Sequence, residues 1–197
     1  MSTIVSRLFD TYEHATSAVA ELEAAGIPHA AISLVANNAE EHYSPTTTTD
    51  TTGASPGAGT GASLGTVLGG GVGLLAGLGM LAIPGVGPVV AAGWLVATLT
   101  GAGVGAAGGG LLGSLVGAGV SETDAHVYAE GVRRGGTLVT VRAEDSQAVM
   151  VETMLDKDNA VDTTARGDVY RQEGWSRFDE AAPAYRSDLP SGRTPLI

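Results

Sequence analysis

The sequence GASLGTVLGGGVGLLAG at residues 61–77 and its counterpart GAGVGAAGGGLLGSLVG at residues 101–117 decide the fold that we predict for this chain. Both lie in a charge-free stretch, residues 51–121, which contains no Asp, Glu, Lys, Arg or His. In both, glycine recurs at every fourth position. Residues four apart lie on one side of an α-helix, so this spacing leaves a stripe of helix surface without side chains. The backbone of a second helix can pack closely against such a stripe, as in membrane helix pairs. The predicted helix-packing stripe consists of Gly65, Gly69, Gly73, Gly77, Gly101, Gly105, Gly109, Gly113 and Gly117.

Glycine is a poor helix former in water, where each interior position costs about 1 kcal/mol relative to Ala. In hydrocarbon the helix is enforced, because unpaired backbone groups cost several kcal/mol each. Residues 62–83 approach the roughly 20 residues that cross a bilayer, and residues 89–120 exceed them. We therefore predict an apolar helical hairpin over residues 63–120. Its predicted turn consists of Pro84, Gly85, Gly87 and Pro88.

Two other interpretations of the charge-free stretch stay open. The first is a disordered linker, which the Leu and Val content of the stretch disfavours. The second is a helical pair buried inside a soluble oligomer. A G-x-G-x-x-G match at residues 103–108 follows no predicted strand and is expected by chance at this glycine density, so we reject nucleotide binding.

The composition excludes several classes of function. The net charge is −11 and Lys157 is the only lysine, which argues against nucleic-acid binding and against attraction to anionic lipid headgroups. With no cysteine, the chain has neither disulfides nor thiol chemistry. The first residues lack the basic and apolar regions of a signal peptide, so we expect the chain to begin in the cytoplasm.

The segments around the charge-free stretch predict an α+β fold. We predict a β-α-β half over residues 1–37 and a Thr/Pro/Gly linker over residues 38–62. After the hairpin, we predict an α-β-α-β half over residues 121–165, closed by a strand at 160–164, and an extended tail over residues 166–197. Two such halves separated by an insertion suggest a split ferredoxin-like module interrupted by the Gly-rich helical hairpin. In the tail, we expect the large aromatic residues Trp175 and Phe178 to dock on the protein's own small domain rather than to form a ligand site.

No arrangement of residues indicates catalysis, a cofactor or a metal. The four histidines, which lack a metal-binding spacing such as H-E-x-x-H, are interpreted as lone surface residues: His14, His29, His42 and His126. Asp156, Asp158 and Asp162 lack the Gly and Glu of a calcium loop. The Arg-Gly-Asp at residues 166–168 is interpreted as incidental. We expect a non-enzyme without a small-molecule substrate.

Four segments carry a resemblance to a known family. These segments are similar to parts of bacterial general stress proteins of the 17M-like, heat-induced type. They are TYEHATSAVAELEAAGIPHAAISLVA at 11–36, LAIPGVGPVVAAG from Leu81, YAEGVRRGGTLVTVRAED and the tail YRQEGWSRFDEAAPAY. The resemblance implies stress-induced expression, the intramembrane glycine-zipper segment that many members of the family have, and no established catalytic activity. The long Thr-rich linker and Val120-Ser121, in place of the Ile-Pro expected there, depart from the family pattern.

These observations lead to one expectation and one alternative. We expect a stress protein whose hairpin inserts in the membrane lipid and forms a homo-oligomer, with both halves on the cytoplasmic side of the inner membrane. The alternative is a soluble cytoplasmic oligomer in which the apolar hairpins form a shared core.

Overall fold

The computed structural model describes residues 2–38, 79–83, 85–101, 110–182 and 185. The strands are β1 (Ser2–Phe9), β2 (Ile32–Asn37), β3 (Gly79–Ile83), β4 (Gly87–Gly93) and β5 (Thr137–Glu144). The helices are α1 (Tyr12–Ala24), α2 (Trp94–Gly101), α3 (Gly110–Ala118), α4 (Glu122–Arg133), α5 (Ala148–Lys157) and α6 (Thr163–Gln172), with a 3₁₀ turn at His29–Ala31. An α+β fold is therefore confirmed.

The sheet is antiparallel throughout and has the order β1-β5-β2-β4-β3. Strands β1 and β2 are joined through α1 and run parallel to each other, and β5 lies between them. Val5 and Val35 each face a residue of β5. Strand β1, helix α1 and strand β2 occupy the residues that we predicted to form the first β-α-β half. Thr11 is the N-cap of α1: its side chain accepts a hydrogen bond from the backbone N–H of His14.

Apolar side chains cover both faces of the sheet in two clusters. The first cluster packs α1 and α5 against one face through residues such as Phe9, Leu22 and Leu155. The second cluster packs α2, α3 and α4 against the other face. It includes Val86, Leu111 and Leu115, so the charge-free stretch supplies part of the core.

The predicted helical hairpin is wrong for the residues where the structure tests it most directly. Residues 79–83 and 87–93 form strands, and the predicted turn joins β3 to β4 rather than two helices. Val86 N–H donates to the Ile83 carbonyl at 3.1 Å, and Gly85 has a φ of +74°. That is the hydrogen bond and the glycine position of a type II turn, which reverses the chain too tightly for two packed helices.

Only part of the predicted glycine stripe can be compared with the structure. Gly101 lies in α2, whereas Gly113 and Gly117 lie in α3, and both helices are short, with 8 and 9 residues. A Cβ atom added at Gly117 would meet no atom within 4 Å, so no described backbone packs closely there. The remaining stripe residues Gly65, Gly69, Gly73, Gly77, Gly105 and Gly109, the turn residue Pro84, and the linker beyond Asn38 lie outside the described residues.

The predicted closing strand at 160–164 is also wrong. One backbone hydrogen bond to β1 is present, from Val161 N–H to the Leu8 carbonyl at 2.7 Å. The chain then turns into α6, because the Asp162 side chain accepts a hydrogen bond from Ala165 N–H and caps the helix. Consequently, the segment from residue 166, which we predicted to be extended, begins as a helix.

Helix α6 packs on α4 through a glycine. A Cβ atom added at Gly167 would lie 3.1 Å from the Val127 side chain, so this position keeps the two helices close. The flanking Arg166 pairs with Asp10, and Asp168 pairs with Arg171. The Arg-Gly-Asp tripeptide is thus part of a packed helix with both charges already paired.

Candidate functional site

After α6 the chain crosses the second cluster as an irregular segment, residues 175–182, which we call the strap. Gly174, with a φ of +90°, ends α6 and turns the chain toward the strap. Trp175 N–H donates to the Tyr170 carbonyl at 3.0 Å, and the two rings meet edge-on with centroids 5.7 Å apart. These contacts fix the direction in which the strap leaves the helix.

Phe178 anchors the middle of the strap. Its side chain is 4% exposed and belongs to the second cluster, so this aromatic residue docks on the protein's own domain. Its backbone N–H donates to Nδ1 of His126 on α4 at 3.2 Å. An imidazole nitrogen accepts a hydrogen bond only when it carries no proton, so this contact requires the tautomer with the proton on Nε2. The Nε2 atom lies 3.9 Å from Glu122 Oε1.

The end of the strap lies over two glycines of the charge-free stretch. A Cβ atom added at Gly85 would come within 2.6 Å of the Cα of Glu180 and 2.7 Å of the carbonyl oxygen of Asp179. A Cβ atom at Gly110 would lie 3.2 Å from Oε1 of Glu180. The backbone contacts at Gly85 leave no room for a methyl group, whereas at Gly110 the nearest atom is the end of a flexible side chain, so the close approach of the strap requires glycine at Gly85.

A buried acid organises the other side of the site. Glu130 on α4 is 1% exposed, and its carboxylate accepts hydrogen bonds from Arg133 Nε at 2.9 Å, Arg133 Nη2 at 2.7 Å and Arg134 Nε at 2.6 Å. Arg134 also pairs with Glu173 at the end of α6. Burial works against the charge on Arg134, but the hydrogen bonds that Arg134 donates to Glu130 and Glu173 outweigh it and raise the pKa of Arg134 above its usual range.

Two tyrosine rings cover the arginines of this cluster. The guanidinium of Arg134 lies 4.2 Å from the ring centroid of Tyr170. Arg133 and Arg134 lie 5.5 and 5.2 Å from the ring centroid of Tyr185, the described residue nearest the end of the chain. These are cation–π distances, and they attach the chain beyond the strap to α4 as well.

The strap keeps two buried polar atoms without partners. Within the described residues, neither Trp175 Nε1 nor Glu180 Oε1 has a hydrogen-bond partner, although both atoms are buried. An unsatisfied buried polar group costs about 1–3 kcal/mol. Docking of the strap is therefore weaker than its apolar contacts alone would make it.

Sequence reasoning missed two residues of this site. His126 was interpreted as a lone surface histidine, but its side chain is 18% exposed and binds the strap backbone. Glu130 was not singled out, although Arg133 and Arg134 follow it at the i+3 and i+4 spacings that pair charges on a helix. That spacing was a usable signal for the ion cluster. No sequence pattern marked His126, because its partner lies 52 residues away.

The site brings together three segments that were quoted for the family resemblance: the turn at Gly85, the EGVRRGG segment with Glu130, and the tail. Among the described residues, no group of three or more His, Cys, Asp or Glu side chains could hold a metal ion. No match to this chain is found among protein-family models, curated proteins or solved structures. The arrangement is one that holds a chain segment, since the charged groups of the ion cluster, Glu130, Arg133, Arg134 and Glu173, are already paired with each other.

Proposed function

We propose that this chain is a non-enzymatic bacterial general stress protein that acts by association, with other copies and with membrane lipid, through its charge-free stretch. The folded domain, which we infer to be a split ferredoxin-like module, holds that stretch at the cytoplasmic side of the inner membrane. The likeness of its segments to general stress proteins supports the class of function. The place where residues 39–78 join the domain supports the mode of action.

The described chain stops at Asn38, just after the central strand β2, and resumes at Gly79, the first residue of the edge strand β3. Asn37 faces Val89 and Gly79 faces Ala91, so the two ends flank the same strand, β4. Two strand spacings and two residues along a strand separate Asn37 from Gly79 by roughly 12 Å. Residues 39–78 are therefore an insertion between the strands on either side of β4, and they include the glycines at 65, 69, 73 and 77.

Four-residue glycine spacing gives this insertion a way to associate. A helix with this stripe would turn about 400° over each four-residue step, so the stripe drifts about 40° around the axis. A second helix that follows it must cross at an angle, near the roughly −40° of right-handed GxxxG pairs.

The second candidate is a soluble oligomer with a shared apolar core. The packing of the described part of the charge-free stretch favours it. The described residues 79–83, 85–101 and 110–118 form short strands and helices that contribute side chains to the second cluster. No helix in the part of the chain that the structure describes is long and apolar enough to cross a membrane. In this candidate, copies meet through apolar surfaces and lipid plays no part.

Fractionation of cells that express a tagged full-length chain at ordinary levels separates the two candidates. Membrane association predicts recovery in the membrane fraction and release only by detergent. Recovery as a discrete large particle without detergent would remove the membrane proposal and leave the soluble oligomer.

Three substitutions test the stripe itself. Leu at Gly69 or Gly73 places a branched side chain where a neighbouring backbone should lie, so Gly69→Leu and Gly73→Leu should abolish most of the cross-linked oligomer. Gly71→Leu, which adds the same side chain off the stripe, is the matched control and should leave cross-linking intact. Equal oligomer yields from all three variants would show that the glycine spacing has no role in association.

A further inference from the structure

We propose that the strap is a releasable closure: docked, it keeps the apolar side chains of the charge-free stretch inside the fold, and undocked, it exposes them for association with a second copy of this chain. The opening step stands on the geometry of the strap alone. The association step rests on the proposed function.

The strap is placed where it can act as a closure. Phe178 is buried in the second cluster together with Val86 and Leu111, which belong to the charge-free stretch and are fully buried. The next residues of the strap lie over Gly85 in the β3–β4 turn and over Gly110 at the start of α3. The strap thus packs where two parts of the stretch meet, and removing it would uncover that contact.

The strap is also attached in a way that permits release without unfolding. It contributes no strand to the sheet and no helix to either face. Its described polar attachment to α4 is the hydrogen bond from Phe178 N–H to His126, and two of its buried polar atoms have no partner among the described residues. The first cluster, on the opposite face of the sheet, contains no strap residue.

A second copy is the occupant that the surface fits. The uncovered side chains come from a stretch without charge, so they offer no group that would select a charged partner. The net charge of −11 opposes approach to an anionic lipid surface and to a second copy alike, so the overall charge does not choose between them. Another copy presents the same uncharged surface, and an interface of this kind is self-complementary.

The absence of native cysteine allows a direct measurement of opening in the full-length chain. A single reporter thiol is introduced by L111C in the second cluster or, as the matched control, by L155C in the first; both leucines are 0% exposed. The strap is loosened by Phe178→Ala. Loss of a buried Phe shifts a closed–open equilibrium by about a hundredfold, so thiol labelling of L111C should accelerate by about that factor while L155C is unchanged.

A second pair of variants loosens the strap without emptying the core. Gly85→Ala drives a methyl group into the strap backbone, whereas Gly26→Ala, the matched control, adds it at a similar positive φ in open space. Only the change at Gly85 should accelerate labelling of L111C. The oligomeric state of each variant is measured by light scattering at the same protein concentration.

The outcomes separate the two steps. Faster labelling of L111C alone, with a larger particle, supports both opening and association. Unchanged labelling of L111C in both strap variants overturns the closure, and equal acceleration at L155C does so too, because the strap would then support the whole fold. Faster labelling of L111C alone without a change in particle size keeps the closure and overturns association through this surface.

Discussion

Replacing the buried acid at the centre of the ion cluster should destabilise the protein strongly. Glu130→Gln keeps the size of the side chain but removes the charge that Arg133 and Arg134 share. These two arginine side chains are 15% and 16% exposed, so they stay largely shielded from water after the change. The free energy of unfolding should therefore fall because two positive charges lose their buried partner.

The magnitude follows from burial and from the hydrogen bonds involved. Removing one partner of a buried ion pair costs about 3–5 kcal/mol. Gln retains one acceptor oxygen and the arginines keep some access to water, so we expect the lower end, about 3 kcal/mol. For a chain of this size, 1 kcal/mol corresponds to roughly 2–4 °C in Tm, which gives a decrease of roughly 6–12 °C.

Urea unfolding and calorimetry of the full chain measure this effect. The urea midpoint should fall while the m-value stays constant, which shows that stability and not compactness has changed. Glu173→Gln is the matched control: it removes another carboxylate partner of Arg134, but Glu173 is 39% exposed and should cost at most about 1 kcal/mol. A loss from Glu130→Gln no larger than that from Glu173→Gln would refute the view that burial makes this cluster important.

Two further changes test contacts on α4. Burial raises the pKa of Tyr128, so above about pH 10 the unfolded chain loses this proton before the folded chain does, and stability falls with rising pH. Tyr128→Phe should cost about 1 kcal/mol at neutral pH, because the hydrogen bond to the Ser6 carbonyl is lost. The same change should flatten the alkaline decrease in urea midpoint. An unchanged alkaline slope would contradict this. Asn37→Ala should lower Tm by roughly 2–4 °C, because Asn37 Nδ2 donates hydrogen bonds to the carbonyls of Val132 and Arg133 at the end of α4. No change in Tm would show that these carbonyls are satisfied without the Asn37 side chain.

The sequence was informative wherever a local signal and a tertiary contact agree. Strand β1, helix α1 and strand β2 follow from β-branched runs, an N-cap at Thr11 and a glycine stop at Gly26, and all of these features act within a few residues. The same holds for α4, where Ser121 accepts a hydrogen bond from Asp124 N–H. Each of these elements would be favoured in almost any tertiary setting.

The charge-free stretch misled the prediction at residues 79–93, which lie between the two runs of four-residue glycine spacing. The helical interpretation of these residues rested on their length and on the absence of charge, and neither feature distinguishes a helix from a strand. At residues 89–92 all four side chains are apolar and buried, since the sheet is covered on both sides. A short apolar run of that kind does not distinguish a buried strand from a buried helix. The Pro-Gly pair at 84–85 was the local signal for a β-turn.

The position of β5 has a consequence for how the chain is made. Strands β1 and β2 are not neighbours, and residues 137–144 are the strand that joins them, although β2 also pairs with β4. During synthesis at about 5–20 residues per second, the ribosome needs roughly 5–20 s to pass from the end of β2 to the end of β5. Throughout that interval the first half has no completed sheet, and the whole charge-free stretch emerges before the strand that organises the core. The order of the strands thus leaves the charge-free stretch of a nascent chain without its complete core for several seconds before the fold can close.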